Sequence, residues 1–445
     1  MQAPGHLTGC KLCICLHLRV ENVTGSDKSV CLEGTPTGWL AMRILFLSPR
    51  QSLPARSGAK LREYHFLRAL GQAAEVSYLY FMDPGAARLT VNELPFCREV
   101  IGIRKPAAYG VTKTARGIVG RWPLPILNYT SPEMGAAVSW LTDARDFDMI
   151  HLDSIHMMRY AQAATARKPT LRAIYNWHNI ESEAMHRFSA TTTSYARRWY
   201  AAQTARKLET AESEILRSAF GHIVCSGRER EQLRRIAPAA RIEVVENGVD
   251  TRYFGEPVAA IPGAARRHLV FVGAMDYFPN SEAAVFFANH VWPRMRSSLG
   301  VAELTIVGAH PGPQVRALSE LSGVKVTGMV PDVRPYYRGA LAAVVPLRTG
   351  AGTRLKILEA MAAGVPVIST PLGAEGLEVT DGENILLVNP DDTEGWIEHV
   401  ANVAESPALS ERLTAGGRQL VQTRYDWEML GAKLRKTYEG WLSPR

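Results

Sequence analysis

At 445 residues the chain is too long for one ordinary domain and fits two or three. Its 46% hydrophobic and 21% charged residues are those of a soluble globular protein, and no run of 18 apolar residues is present to span a bilayer. The net charge of +8 is unevenly held: residues 42–252 carry 30 Lys and Arg against 20 Asp and Glu, residues 253–445 carry 18 against 20, so the first half suits an anionic partner or simply presents a basic solvated face.

From the beginning of the chain, residues 1–41 read as an extension outside the fold. They hold four of the six cysteines, Cys10, Cys13, Cys15 and Cys31, but no second ligand pair at zinc-like spacing. Cys97 and Cys225 are too far apart in sequence to suggest a disulfide framework. The apolar run 12–18 carries His17, ends at Arg19 and makes a poor signal-peptide core. A cytoplasmic location is therefore expected.

After Met42, short apolar runs alternate with helical patterns, which predicts an α/β fold with parallel sheets. Strands are expected over 43–48, 76–81, 99–103, 149–152, 171–176, 222–225 and 242–245. Helices are expected over 59–70, 154–164, one long polar stretch 181–220, and 228–236. The turn at Asn247–Asp250 and the Pro/Gly/Ala-rich 256–265 separate this series from a second. There, strands are expected over 268–272, 303–307, 324–327, 342–345, 365–369 and 385–388. The organisation is thus 42–252 and 253–424, two doubly wound domains that bind ligands beyond the carboxyl ends of their strands. Asp426 is placed to cap a last helix within 425–445, which stays with the second domain or crosses back to the first.

The chemistry concentrates in residues 345–370, VPLRTGAGTRLKILEAMAAGVPVIST, which read as strand, glycine-rich turn, helix and strand. Gly350 and Gly352 remove side chains where backbone must turn tightly or meet a ligand. A helix opening at about Thr353 offers free amides and a positive dipole end, which suits phosphate. Arg354 and Lys356 add charge there. Glu359, three residues after Lys356, shares its helical face and is placed to accept hydrogen bonds from a ribose diol. Spacing alone equally describes an amphipathic helix with Leu355, Leu358 and Met361 in the core.

This stretch resembles the donor-site motif of glycosyltransferase family 4, also called group 1, whose fold is GT-B: two Rossmann-like domains facing a central cleft. The resemblance extends over nearly all of 42–441, through 177–182 (WHNIES), 247–250 (NGVD), 271–280 (FVGAMDYFPN), 326–332 (VTGMVPD) and 373–377 (GAEGL). It is closest to bacterial exopolysaccharide-type transferases with the GAGTRLK variant. The resemblance implies a retaining hexosyl transfer from a nucleoside-diphosphate sugar to a glycan or lipid-linked hydroxyl, with no metal and no cofactor beyond the donor.

The resemblance also implies roles. Glu359 would bind ribose, and Lys356 with Arg354 the diphosphate. Gly273 would let the first loop of the second domain approach the phosphates, and Gly328, Met329 and Val330 would border the base. Gly350, Ala351, Gly352 and Thr353 would line the donor. His178 would lie near the donor sugar, with Gly58, Ala59 and Glu181 on the acceptor side. Two departures stand out: Ala351 replaces the family's usual glutamate eight residues before Glu359, and Ala274 and Asn280 occupy the loop that usually carries Arg and Lys. A 2-epimerase-like enzyme on the same fold, or an inactive sugar-nucleotide-binding scaffold, are the rival readings.

Other patterns lead elsewhere. Asp146 and Asp148 have the Asp-x-Asp form of metal-dependent transferases but precede a strand. His151, Asp153 and His156 surround a strand end at unremarkable spacing. Neither first strand opens into GxGxxG, and no nucleophile elbow is present. Finally, Arg104, Lys105, Lys113, Arg116 and Arg121 interleave with Tyr109, Ile118, Val119 and Trp122. That mixture suits the headgroup layer, so peripheral contact with an anionic membrane, or a lipid-diphosphate acceptor, is expected on this side.

Overall fold

The structure, a computed structural model, describes residues 42–442 apart from 56, 260–267, 300–302, 351 and 353. The expected extension 1–41, Ala351 and Thr353 lie outside the described residues.

Two all-parallel sheets form. The first comprises β1 (Arg43–Ser48), β2 (Glu75–Met82), β3 (Glu99–Arg104), β4 (Met149–Leu152), β5 (Arg172–Asn176), β6 (Gly221–Val224) and β7 (Ile242–Val244), in the order β3-β2-β1-β4-β5-β6-β7. The second comprises β8 (His268–Val272), β9 (Glu303–Val307), β10 (Val324–Val326), β11 (Ala340–Val345), β12 (Val367–Ser369) and β13 (Leu386–Leu387), in the order β10-β9-β8-β11-β12-β13. Both reverse direction of growth next to their first strand, the switch point of doubly wound sheets. The central strands are buried on both faces, which is why they read as continuous apolar runs rather than alternating ones. One apolar core surrounds the second sheet, and one lies on each face of the first.

Helices deviate more from expectation. The stretch 181–220 is two helices, Glu181–Thr191 and Tyr195–Ser218. Thr191 Oγ1 turns back to Arg187 O at 3.1 Å, and Thr192 leaves the helical region at φ −75°, ψ 134°, as hydroxyl residues that compete for backbone partners do. Between β3 and β4, where no element was expected, helices form at Val111–Val119, Leu124–Leu127 and Pro132–Ala144.

The last helix, Trp427–Leu442, crosses back. Trp427, Leu430, Leu434 and Tyr438 join the core on the outer face of the first sheet, and Tyr438 Oη bonds His151 Nδ1 at 2.6 Å. The chain therefore passes twice between the sheets, once at 247–250 and once at 425–427. These passages are stitched together by Val249 N to Tyr425 O at 2.8 Å and Trp427 N to Val249 O at 3.2 Å. Asp426 caps the helix start through the Glu428 amide at 2.8 Å.

Candidate functional site

On the second sheet, β8 ends at Gly273 and the chain turns sharply. A Cβ at Gly273 would fall 2.7 Å from Asn280 Nδ2 and 3.0 Å from Lys356 Nζ, so a side chain here would displace the Asn280–Lys356 pair. The glycine-rich turn after β11 holds Gly350 at φ 107° and Gly352 at φ 95°, conformations that exclude ordinary side chains. The following helix is Leu355–Ala363, with Arg354 as an N-cap that makes no side-chain cap bond. It opens two residues later than about Thr353, because Gly352 and Arg354 still have non-helical backbone.

Lys356 lies on the first turn of this helix. Its Nζ donates to Asn280 Oδ1 at 2.5 Å and sits 4.8 Å from the centre of the Phe271 ring. Burial, reinforced by the neighbouring Arg354 charge, lowers its pKa to about 7, against the pull of Glu359. Burial likewise raises Glu359 to about 7, with Lys356 and a hydrogen bond from Tyr337 drawing it down. Tyr337 is itself fully buried and also reaches Lys356 O at 3.3 Å. The cation and carboxylate are thus poised, close to neutrality, where a phosphate would favour the charged lysine.

Arg354 does something different from Lys356. It is only 4% exposed, and its Nη2 donates to Gly350 O at 3.1 Å and Leu372 O at 3.3 Å. Burial lowers its pKa. The guanidinium clamps the glycine-rich turn to the loop after β12. Gly328, at φ 70°, follows β10 and accepts from Gly308 N at 3.1 Å. Beyond it Met329 is 62% exposed and Val330 packs on the second core.

The first sheet supplies the opposite wall. Gly58 begins the helix Gly58–Gly71 beside Ala59, and a Cβ there would lie 3.1 Å from Leu355 Cδ1. A Cβ at Gly352 would lie 3.9 Å from Asn179 Oδ1. The two sheets thus bring the starts of these two helices and the 177–181 turn to one cleft. His178 follows β5, and its Nε2 meets Asp153 Oδ2 at 3.0 Å and Asp153 O at 3.0 Å. Burial lowers the His178 pKa more than Asp153 raises it, and because Nε2 faces two oxygen acceptors, that nitrogen is the one that carries a proton. Burial alone would raise Asp153; the His178 ring and Arg50 instead hold it at about 2. Glu181 begins the next helix half-buried, its pKa raised by burial and restrained by Arg50.

Asp153, Asn280, Tyr337 and Arg50 escaped the sequence reading as site residues. Asp153 was weighed only as a metal ligand, and Asn280 only as a missing charge; its role is to hold Lys356. Asp148 accepts from Arg43 N at 2.7 Å and Asp146 pairs with Lys168 at 3.2 Å. Both lie at the amino end of β4, away from the cleft.

Residues 58–253 match the family described as Glycosyltransferase Family 4, and residues 266–406 that described as Glycosyl transferases group 1. A glycogen synthase of Mycobacterium tuberculosis (strain ATCC 25618 / H37Rv) is 27% identical over 255 residues, covering 54% of this chain and 59% of the relative. A phosphatidyl-myo-inositol mannosyltransferase of Mycolicibacterium smegmatis is 28% identical over 226 residues, covering 49% and 57%. The chain thus spans 59% and 57% of the length of these curated relatives. Among solved structures, sucrose-phosphate synthase from Thermosynechococcus elongatus superposes with TM-score 0.65 at 19% identity, over 90% of this chain and 98% of its own. Anabaena HepE in complex with UDP and glucose gives 0.62 at 15%, over 89% and 99%.

Proposed function

Because the chain belongs to the glycosyltransferases of family 4 and group 1 over residues 58–253 and 266–406, we propose that it moves a hexosyl group from a nucleoside-diphosphate sugar to a hydroxyl of a glycan or lipid-linked acceptor, with retention. The observation that carries this reading is the pairing of Lys356 Nζ, set against Gly273 and Asn280, with Glu359, held by Tyr337 one turn deeper. Glu359 takes the ribose diol. The diphosphate occupies the space before Gly273 and the uncapped amides of Leu355 and Lys356.

As the glycosidic bond breaks, negative charge grows on the leaving diphosphate. Lys356 and the helix amides are aimed at that charge, which stabilises the transition state more than the ground state. Arg354 contributes by holding the Gly350 turn in place. His178, neutral and braced by Asp153, faces the donor sugar, while Gly58, Ala59 and Glu181 border the acceptor. The leaving phosphate takes the acceptor proton on the same face, in a reaction proposed to run without a metal. A further part of the proposal is peripheral attachment to anionic membrane through Val111–Val119, at the inner face of the cell membrane.

A calorimetric screen of UDP, GDP, ADP and their sugars, followed by anomer analysis of the product, tests the reading. Saturable binding of one nucleoside diphosphate, turnover that needs an acceptor, and activity that survives EDTA are expected. Conversion of the donor alone would make the chain an epimerase, and inversion at the anomeric carbon would overturn the mechanism.

A further inference from the structure

Arg62 lies on the second turn of the helix Gly58–Gly71 with no exposed surface. A buried guanidinium stays charged and must place five donors. Its Nε and Nη2 donate to Asn176 Oδ1 at 2.9 and 2.8 Å. Its Nη1 donates to Val245 O at 2.7 Å, Glu246 O at 3.1 Å and Asn247 Oδ1 at 3.1 Å. One rigid plane therefore fixes the distance between the end of β5 and the first interdomain passage.

The bond to Arg62 also decides how Asn176 is turned. With Oδ1 facing the guanidinium, Nδ2 donates to Asp153 Oδ1 at 2.7 Å. The other carboxylate oxygen of Asp153 accepts from His178 Nε2 at 3.0 Å. A continuous buried chain thus runs from Val245–Asn247 through Arg62, Asn176 and Asp153 to the cleft imidazole. Asn176 turned the other way would set its carbonyl against a carboxylate and its amide against a cation.

We infer that Arg62 is a positioning residue that locks the interdomain hinge and the His178 ring into one unit. The hinge segment in its present path presents acceptors to Arg62; Arg62 orients Asn176; Asn176 and Asp153 keep the imidazole proton on Nε2, leaving Nδ1 as the basic nitrogen. A hinge that shifts its carbonyls loosens the histidine, so domain movement and ring orientation are coupled. The consequence for turnover rests on the proposed transferase reading, whereas the coupling itself does not.

The test uses the full chain with ¹⁵N-labelled histidine, the His178 resonances being assigned with His178→Gln. Arg50 after β1, Arg62, Asp153, and the rings of His151 and His156 all act electrostatically on His178 or are acted on by it. A charge-keeping substitution is therefore needed. Arg62→Lys preserves the cation but cannot reach Asn176 and the hinge together. It should convert the Nε2–H pattern to an average of the two tautomers. With the donor found by the nucleotide screen, kcat should fall roughly 10²-fold, the loss expected of a misplaced group, with unchanged affinity for the nucleoside diphosphate. Asn247→Ala, at a half-buried position, removes one of the three hinge acceptors of Arg62, Val245 O and Glu246 O staying in place, together with the Asn247 contact to the Cys225 thiol. It should move the same signals in the same direction by less, even if Arg62→Lys fails to fold. His178 signals unchanged in a folded Asn247→Ala, or in a folded Arg62→Lys, would overturn the coupling. A changed tautomer with unchanged turnover would uphold the coupling and remove His178 from the reaction.

Discussion

On the second-domain wall of the cleft, Lys356 and Glu359 stand three residues apart on one helix, and the turn that aims them is encoded by Gly350 and Gly352 just before. On the first-domain wall, His178 is held by Asp153, 25 residues away, through a chain reaching Arg62, 114 residues from Asn176 and 183 from Val245. The second-domain wall is a local motif whose geometry follows from helical spacing. The first-domain wall is a tertiary network, in which each member finds its partner only after the sheet has set β1, β4 and β5 side by side. Substitutions on the second-domain wall should therefore act on a single chemical event, and those on the first-domain wall should spread through orientation.

Lys356→Ala is the sharpest way to break this contrast. If Lys356 serves the departing diphosphate, kcat should fall by roughly 10²–10³-fold with the fold unchanged. Asn280 offers no charge of its own, and the neighbouring Arg354 guanidinium is engaged with Gly350 O and Leu372 O, so compensation should be small. A rise in KM with near-normal kcat would move Lys356 from the transition state to ground-state binding. Glu359→Ala should next weaken the nucleoside diphosphate, by about 1.5–3 kcal/mol if a charged hydrogen-bond acceptor for ribose is lost. Calorimetry showing wild-type affinity would free Glu359 of that role.

The same pair gives a pH dependence. Lys356, lowered to about 7 by burial, is largely neutral above neutral pH in the empty pocket, while a bound diphosphate would restore its charge. Binding then takes up a proton, and affinity should fall as pH rises above about 7, by at most about tenfold per unit for one proton. Glu359 would act in the opposite sense at lower pH, since its pKa of about 7 leaves it protonated there. Titrations in buffers of different ionisation enthalpy should register proton uptake near pH 8 that Lys356→Met abolishes. Uptake that persists in Lys356→Met would assign the proton elsewhere.

Every strand expected from the sequence is found, with ends displaced by at most two residues, because doubly buried parallel strands leave unbroken apolar runs. Between β3 and β4, Val111–Val119 gave no such mark, for it turns apolar residues outward, whereas Pro132–Ala144 does carry a helical signal in its Ser131 cap and in Met134, Val138 and Leu141. At the site, helical spacing puts Lys356 and Glu359 on one face, while their roles and that of Gly273 are marked only by the family resemblance. Arg62 looked like any arginine on an amphipathic helix, and Tyr337 like any core tyrosine. Their roles depend on strand order, which no local spacing carries. The same limit treated the basic residues of 104–129 as equivalent, and the structure separates them.

That separation sets the last and smallest prediction, for the basic segment between β3 and β4 of the first domain. Val111 and Val119 are 87% and 88% exposed at the two ends of one helix, and Tyr109 is 76% exposed just before it. The helix is held as a firm platform: Lys207 Nζ donates to the carbonyls of Gly117, Ile118 and Gly120 at 2.8, 2.6 and 2.7 Å. Arg116 is exposed on it. Arg121, by contrast, pairs with Glu214 at 2.5 Å and lies over Trp122 at 4.7 Å, while Trp122 packs on the first core and Lys105 lies over Tyr129 at 4.6 Å. With each free cation near an anionic surface worth about 1 kcal/mol, attachment should be weak and reversible. In vesicle co-sedimentation, binding should need anionic lipid and fall with salt. Val111→Asp, Val119→Asp and Arg116→Glu should each release the protein, whereas the double change Arg121→Gln with Glu214→Gln, which removes the pair without altering net charge, should leave binding nearly unchanged. Equal binding to neutral vesicles, or a loss with that double change as large as with Arg116→Glu, would mean that this helix is not the contact and that the basic first half serves the acceptor within the cleft.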